Sequence, residues 1–143
     1  INSLEEILSK FPHKTDLAAN GTRCVLISAK NAAEAKMPSE MYLATTAFVD
    51  LIDLYEKNDE FEVVTKSLDD LFEIGLIAIY YKIYDVVRKA IITISRYGDA
   101  KYNGLISKGD VKEYLIKFDE EIQKSNFPVV FDKLIKDELN KLS

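Results

Sequence analysis

The sequence predicts an all-α fold of about seven helices stacked as antiparallel pairs, and three observations carry that expectation. Apolar residues recur three or four apart along most of the chain, as they do on one face of an α-helix. Glycine and proline together number only eight in 143 residues, too few for the many turns of an all-β chain. No stretch alternates strictly between apolar and polar side chains, as a half-buried strand does.

The elements follow in order. Ser3-Leu4-Glu5-Glu6 has the form of a capping box, in which serine and the glutamate three residues on satisfy each other's free amides. It opens a short first helix that Pro12 closes. Thr15 caps a second segment running to about residue 36, with Asn20-Gly21 as a candidate early break. Pro38-Ser39-Glu40 opens a third, to residue 56 or 57, on which Met41, Ala44, Phe48, Ile52 and Tyr55 draw one stripe.

Asn58-Asp59 is a tight connection, Asp59 and Glu62 repeat the capping pattern, and a fourth helix extends to about 82. From 74 to 81 that helix is apolar almost all round, which calls for cover on several sides. Its second half is expected at the centre of the domain beside the fifth helix. The fifth begins near Tyr84-Asp85, carries the stripe Val87, Ala90, Ile91 and Ile94, and fades around 102–104. The sixth covers 107–123 and the seventh 127–142. Asn126 is a candidate cap for the last, and Pro128 sits in its first turn, where the missing donor costs nothing.

Two of these helices repeat a phrase. FEVVTKSLDDLFEIG, from Phe61 to Gly75, aligns without gaps on YDVVRKAIITISRYG, from Tyr84 to Gly98, 23 residues later. Val63-Val64 falls on Val86-Val87, Lys66 on Lys89 and Gly75 on Gly98, with Phe61 against Tyr84 and Glu62 against Asp85. Gly75 is expected inside its helix, where glycine costs about 1 kcal/mol relative to alanine and is kept where a neighbouring backbone comes close. Gly98 is expected either to do the same or to serve as a C-cap. One helix and turn every 23 residues gives an antiparallel pair every 46, the length of the two-helix HEAT and armadillo units. Over 61–98 the chain therefore resembles a HEAT-like helical repeat, with an irregular helical bundle as the other reading. The tetratricopeptide signature is absent, since the sequence contains no tryptophan.

The length suits a single all-α domain over 1–143. Apolar residues at 48% and charged residues at 30% give the balance of a soluble globular chain. The sequence opens on Ile1, as expected of a processed chain or of a segment of a longer polypeptide. No run reaches the roughly 20 apolar residues of a membrane span, although an anchor outside this segment is compatible with it. The net charge of −5 opposes a nucleic-acid partner, which calls for a basic stripe. Cys24, the one cysteine, excludes an internal disulfide and fits a reducing, cytoplasmic setting. Flanked by Val25, Leu26 and Ile27, it is expected to be buried.

Catalytic chemistry finds little to build on. The only histidine, His13, follows Pro12 in a turn and reads as a solvated loop residue, so no Ser-His or Cys-His pair is assigned. No phosphate-binding, dinucleotide-binding or zinc-protease spacing occurs, and no cofactor is expected. Asp50, Asp53 and Glu56 share one helix face, and Asp69, Asp70 and Glu73 cluster on the next. Two such faces would bind a divalent cation if they met, although the Glu-x-x-His pattern of di-iron bundles is excluded by the histidine count. Solvated polar faces are the preferred account, and no metal residue is assigned.

Charge is unevenly spread. Residues 40–73 hold ten acids against two lysines, a balance of −8, whereas 82–117 hold eight bases against four acids, a balance of +4. Lys82, Arg88, Lys89, Arg96, Lys101 and Lys108 are either a basic patch for an acidic partner, lipid headgroups or phosphates, or, as the preferred account, complements to the acidic helices or groups facing water. Tyr80, Tyr81 and Tyr84 crowd the junction of the two repeated phrases. Aromatic and arginine side chains dominate binding hot spots, so Tyr81, Tyr84, Arg88, Arg96 and Tyr97 are the candidate partner-binding residues. The function expected is a non-catalytic scaffold that presents a surface to another protein or to a second copy. The alternatives are a soluble regulatory or sensory portion of a larger, membrane-anchored protein and, third, a carboxylate-based metal binder.

Overall fold

The computed structural model describes residues 15–142, and every regular element among them is helical. Six α-helices follow one another: α1 (Thr15–Glu34), α2 (Pro38–Lys57), α3 (Phe61–Tyr81), α4 (Tyr84–Arg96), α5 (Lys108–Lys124) and α6 (Val129–Lys141), with a 3₁₀ turn at Ala100–Tyr102 between α4 and α5. The fold is all-α, as the periodicity predicts. The first predicted helix, with Ser3 and Pro12, and His13 lie outside the described residues.

The first three junctions share one geometry. Lys36, Asp59 and Lys82 adopt left-handed backbone, with φ of 58°, 59° and 56°. At each, the left-handed residue donates its N–H to the carbonyl three back, and the next residue donates to the carbonyl five back. The pairs are Lys36 to Ala33 and Met37 to Ala32, Asp59 to Glu56 and Glu60 to Tyr55, and Lys82 to Ile79 and Ile83 to Ala78. These are Schellman motifs, which satisfy the orphan carbonyls of a helix end. Met37, Glu60 and Ile83 then accept the first bonds of the next helix, from Met41, Val64 and Val87. Asp59 is thus a turn residue and not the side-chain cap its spacing with Glu62 suggests. Asn126, with φ 56°, likewise occupies a left-handed turn position, and Pro128 directly precedes α6.

Two compact units divide the chain between Ile74 and Gly75. In the first, α1 packs along α2. Val25, Leu26, Ala29 and Ala33 of α1, and Met41, Phe48, Leu51, Ile52 and Tyr55 of α2, are buried. Gly21 does not break α1, which runs unbroken from Thr15 to Glu34. The roughly 1 kcal/mol that a helical glycine costs is small beside what burying such side chains contributes, at about 1.5–3 kcal/mol each. Cys24 is exposed, contrary to expectation. Helical register explains it: Val25, Leu26 and Ala29 take the inward face, which turns Cys24, Ile27 and Ser28 outward. Lys30 of α1 reaches Glu73 of α3 at 3.3 Å.

In the second unit α4, α5 and α6 pack on one another. Val86, Val87, Ala90, Ile91 and Ile94 of α4 are all fully buried, as are Val111, Leu115 and Phe118 of α5. Gly75 lies inside α3 and is buried; a Cβ there would stand 2.6 Å from the Phe118 ring and 3.1 Å from the Ala90 Cβ. Gly98 lies just beyond α4 without positive φ, so it is no left-handed cap. A Cβ on it would collide with the Leu142 side chain instead. The apolar stretch at the end of α3 is less enclosed than its composition predicts: Leu76 and Ile77 are half-buried, and Tyr80 is 78% exposed. The fifth predicted helix stops at Arg96, with Tyr97 as its C-cap, and Asp99 then accepts the Lys101 N–H at 3.0 Å to start the 3₁₀ turn.

Candidate functional site

α4 and α6 build the most distinctive surface of the second unit. Tyr84 opens α4, and Arg88 stands four residues on, one turn along the same face. Pro128, with φ −56° and ψ 144°, turns the chain into α6. The rings of Phe127 and Phe131 then flank Tyr84, at centroid distances of 5.0 Å and 5.6 Å, and lie 5.2 Å from each other. Edge-to-face geometry, near 86° for Tyr84–Phe127 and 80° for Phe127–Phe131, sets the positive edge of one ring against the negative face of the next.

Beside this cluster runs a cleft of about 180 Å³, lined by Arg88, Val130, Phe131, Lys133, Leu134 and Asp137. Phe131 is 7% exposed and forms its floor, whereas Val129 and Val130 are 82% and 60% exposed. Neighbouring polar groups hold the walls. Ser95 of α4 donates to Glu138 of α6 at 2.7 Å, and Lys141 donates to the same carboxylate at 3.0 Å. Gln123 of α5 donates to Asp132 at 2.7 Å, and Lys136 pairs with Asp132 at 2.8 Å. The Lys136 hydrogen bond holds the Asp132 carboxyl below its ordinary pKa. Arg88, Lys133 and Asp137 make no ion pair among the described residues.

The five candidate residues separate. Tyr84 and Arg88 come together on this surface. Tyr81 is half-buried and meets the exposed Tyr80 edge-on at 4.9 Å. Arg96 is exposed at the far end of α4, about 12 Å along the axis from Arg88, and lies 5.3 Å from the ring centre of Tyr97. Tyr97 is fully buried, with its ring 4.6 Å from that of Tyr102. A buried ring offers no area to a partner, so Tyr97 leaves the candidate set. Phe127, Val129, Val130, Lys133 and Leu134, which share this surface with Tyr84 and Arg88, were not singled out by the sequence. The available signal was Val129-Val130, which lies off the inward stripe of Phe131, Ile135 and Leu142.

The carboxylate faces do not converge into a cation site: among the described residues no three potential metal-ligating side chains come together. Glu73 turns to Lys30 instead. Asp70 has its carboxyl pKa raised, first by burial and then by Glu73, with Lys66 and Arg23 opposing. Among the described residues no helix is long and apolar enough to cross a membrane. No family model, curated protein or solved structure matches the chain.

Proposed function

We propose that the chain is a non-catalytic interaction module and that the α4–α6 surface is where it meets another protein. The observation that carries this reading is the exposure of Val129 and Val130 beside a packed aromatic cluster and an unpaired arginine. Exposed valines rimmed by charge are the composition of a binding patch. Tyr84, at 40% exposure, has its ring already fixed by two neighbours, so docking on it costs little side-chain entropy. The recurrence of one junction at 23-residue intervals supports a HEAT-like helical array, a class that works as a scaffold. An exposed thiol at Cys24 supports a reducing, cytoplasmic setting.

Copurification from the source cell tests the reading. The double variant Val129→Glu and Val130→Glu is expected to lose the partner that the wild-type chain retains, with thermal stability unchanged because both side chains are exposed. A partner kept in full by this variant would remove the α4–α6 surface from the proposal.

A further inference from the structure

We infer that the α4–α6 cleft receives an acidic segment of a partner protein, which inserts one apolar side chain against Phe131 and Leu134 and sets a carboxylate against Arg88 and Lys133. This rests on the interaction reading above and adds the chemistry of the partner.

Size decides what enters. Pockets for cofactors and small ligands run from about 300 to 1,000 Å³, and this cleft, at about 180 Å³, is too small for them. It has room for a single anchoring side chain, the way a hot-spot residue fills a pocket.

Charge decides what flanks the anchor. Two carboxylates of α6 are already paired, Asp132 with Lys136 and Glu138 with Lys141, and each also accepts a hydrogen bond, from Gln123 and Ser95 respectively. The two cations of the cleft are not. Arg88 and Lys133 are exposed, lack ion pairs among the described residues, and outnumber the single unpaired acid, Asp137. The planar guanidinium of Arg88 suits a carboxylate that accepts two parallel hydrogen bonds. Asp137 disfavours a second carboxylate at its own end and so gives the incoming segment a direction. A flat anionic bilayer fits less well, because the site is a cleft and the Asp137 carboxylate at one end of it repels an extended sheet of phosphates.

The test is selection of a random-peptide display library on the full chain, with counter-selection on Val130→Glu. Enriched peptides are expected to carry an aliphatic or aromatic residue flanked by Asp or Glu. Replacing those acids with Asn or Gln should weaken binding at least tenfold, as should the Arg88→Glu, Lys133→Glu double variant, with circular dichroism and melting unchanged. Cleft-dependent peptides without acids, or binding indifferent to the charge reversal, overturn the acidic partner and leave the interaction surface standing. A dimer in sedimentation that Val130→Glu dissociates also overturns it, assigning the face to a second copy. Failure of every peptide to depend on the cleft, or Val130-dependent binding to phosphatidylserine vesicles instead, overturns both this inference and the reading beneath it.

Discussion

Gly75 and Gly98 occupy equivalent places in the repeated phrase, yet they differ in what crowds them. A Cβ at Gly75 meets the ring of Phe118, which is fully buried and has no free volume to enter. Alanine there gains about 1 kcal/mol of helix propensity, but overpacking a filled core costs about 1–3 kcal/mol. Gly75→Ala is therefore expected to lower stability to urea by about 1 kcal/mol; a stabilised variant would mean that Phe118 yields and that no close approach exists. At Gly98 the main obstacle is the terminal methyl of Leu142, which can rotate away, and the Ser95 carbonyl oxygen, 3.2 Å from the added Cβ, need give by only a few tenths of an ångström. Gly98→Ala is expected to stay within about 0.5 kcal/mol of wild type. Asp70 supplies a second test at this scale. Its native pKa is raised above the ordinary value of 3.8 by burial and by Glu73. The native state therefore holds the proton more tightly than the unfolded chain, and its contribution is present at acid pH and lost as pH rises through the raised value. Asp70→Asn should melt higher than wild type at pH 7, with the gain vanishing as pH falls to 3.8 and below. A gain independent of pH would point to packing instead of ionisation.

The helices show how much the sequence exposed and what hid the rest. Element type and most boundaries were legible, because apolar spacing acts locally; the Ser107 cap, whose hydroxyl accepts the Asp110 N–H at 3.0 Å, is a detail the structure adds. The repeat was legible only between α3 and α4, where aromatic-acid starts and paired valines match by eye. The 23-residue spacing further back was hidden: α1, α2, α3 and α4 begin at Thr15, Pro38, Phe61 and Tyr84, every 23 residues, but Thr15 and Pro38 share nothing with the aromatic starts of the other two. What recurs is size and backbone: Gly21, Ala44, Ser67 and Ala90 put a small buried residue at the same register of each helix. Ser67 holds that place although its hydroxyl has no hydrogen-bond partner, an arrangement that costs about 1–3 kcal/mol and marks a limit on volume. The α4–α6 surface was half legible. Tyr84 and Arg88 share a helix and a face, whereas their neighbours come from a helix some 45 residues on and needed the packing of Phe131 to be found. The junctions yield a prediction of their own. Lysine in left-handed backbone costs about 1–2 kcal/mol that glycine avoids, less the extra freedom glycine has when unfolded. Lys36→Gly and Lys82→Gly should each stabilise by about 0.5–1 kcal/mol in urea titration, and a loss at either would show that the lysine side chain contributes there.

For the whole molecule the deciding quantity is the contrast between far and near charge. At long range an acidic partner meets the net charge of −5, to which residues 40–73 contribute a balance of −8. In the cleft it meets Arg88 and Lys133. Screening separates the two, because the Debye length shortens from about 30 Å at 0.01 M salt to about 10 Å at 0.1 M. Over that range the repulsion felt on approach fades, while contact pairs a few ångströms apart are screened much less. Association of an acidic anchor peptide with the full chain should therefore quicken as salt rises to about 0.1 M and slow only beyond it. A purely basic docking face would instead show the steepest slowing at the low-salt end. Stopped-flow fluorescence across that series measures the difference. A rate that falls monotonically from the lowest salt would mean that the +4 balance of 82–117, and not the net charge of −5, governs the field at a distance.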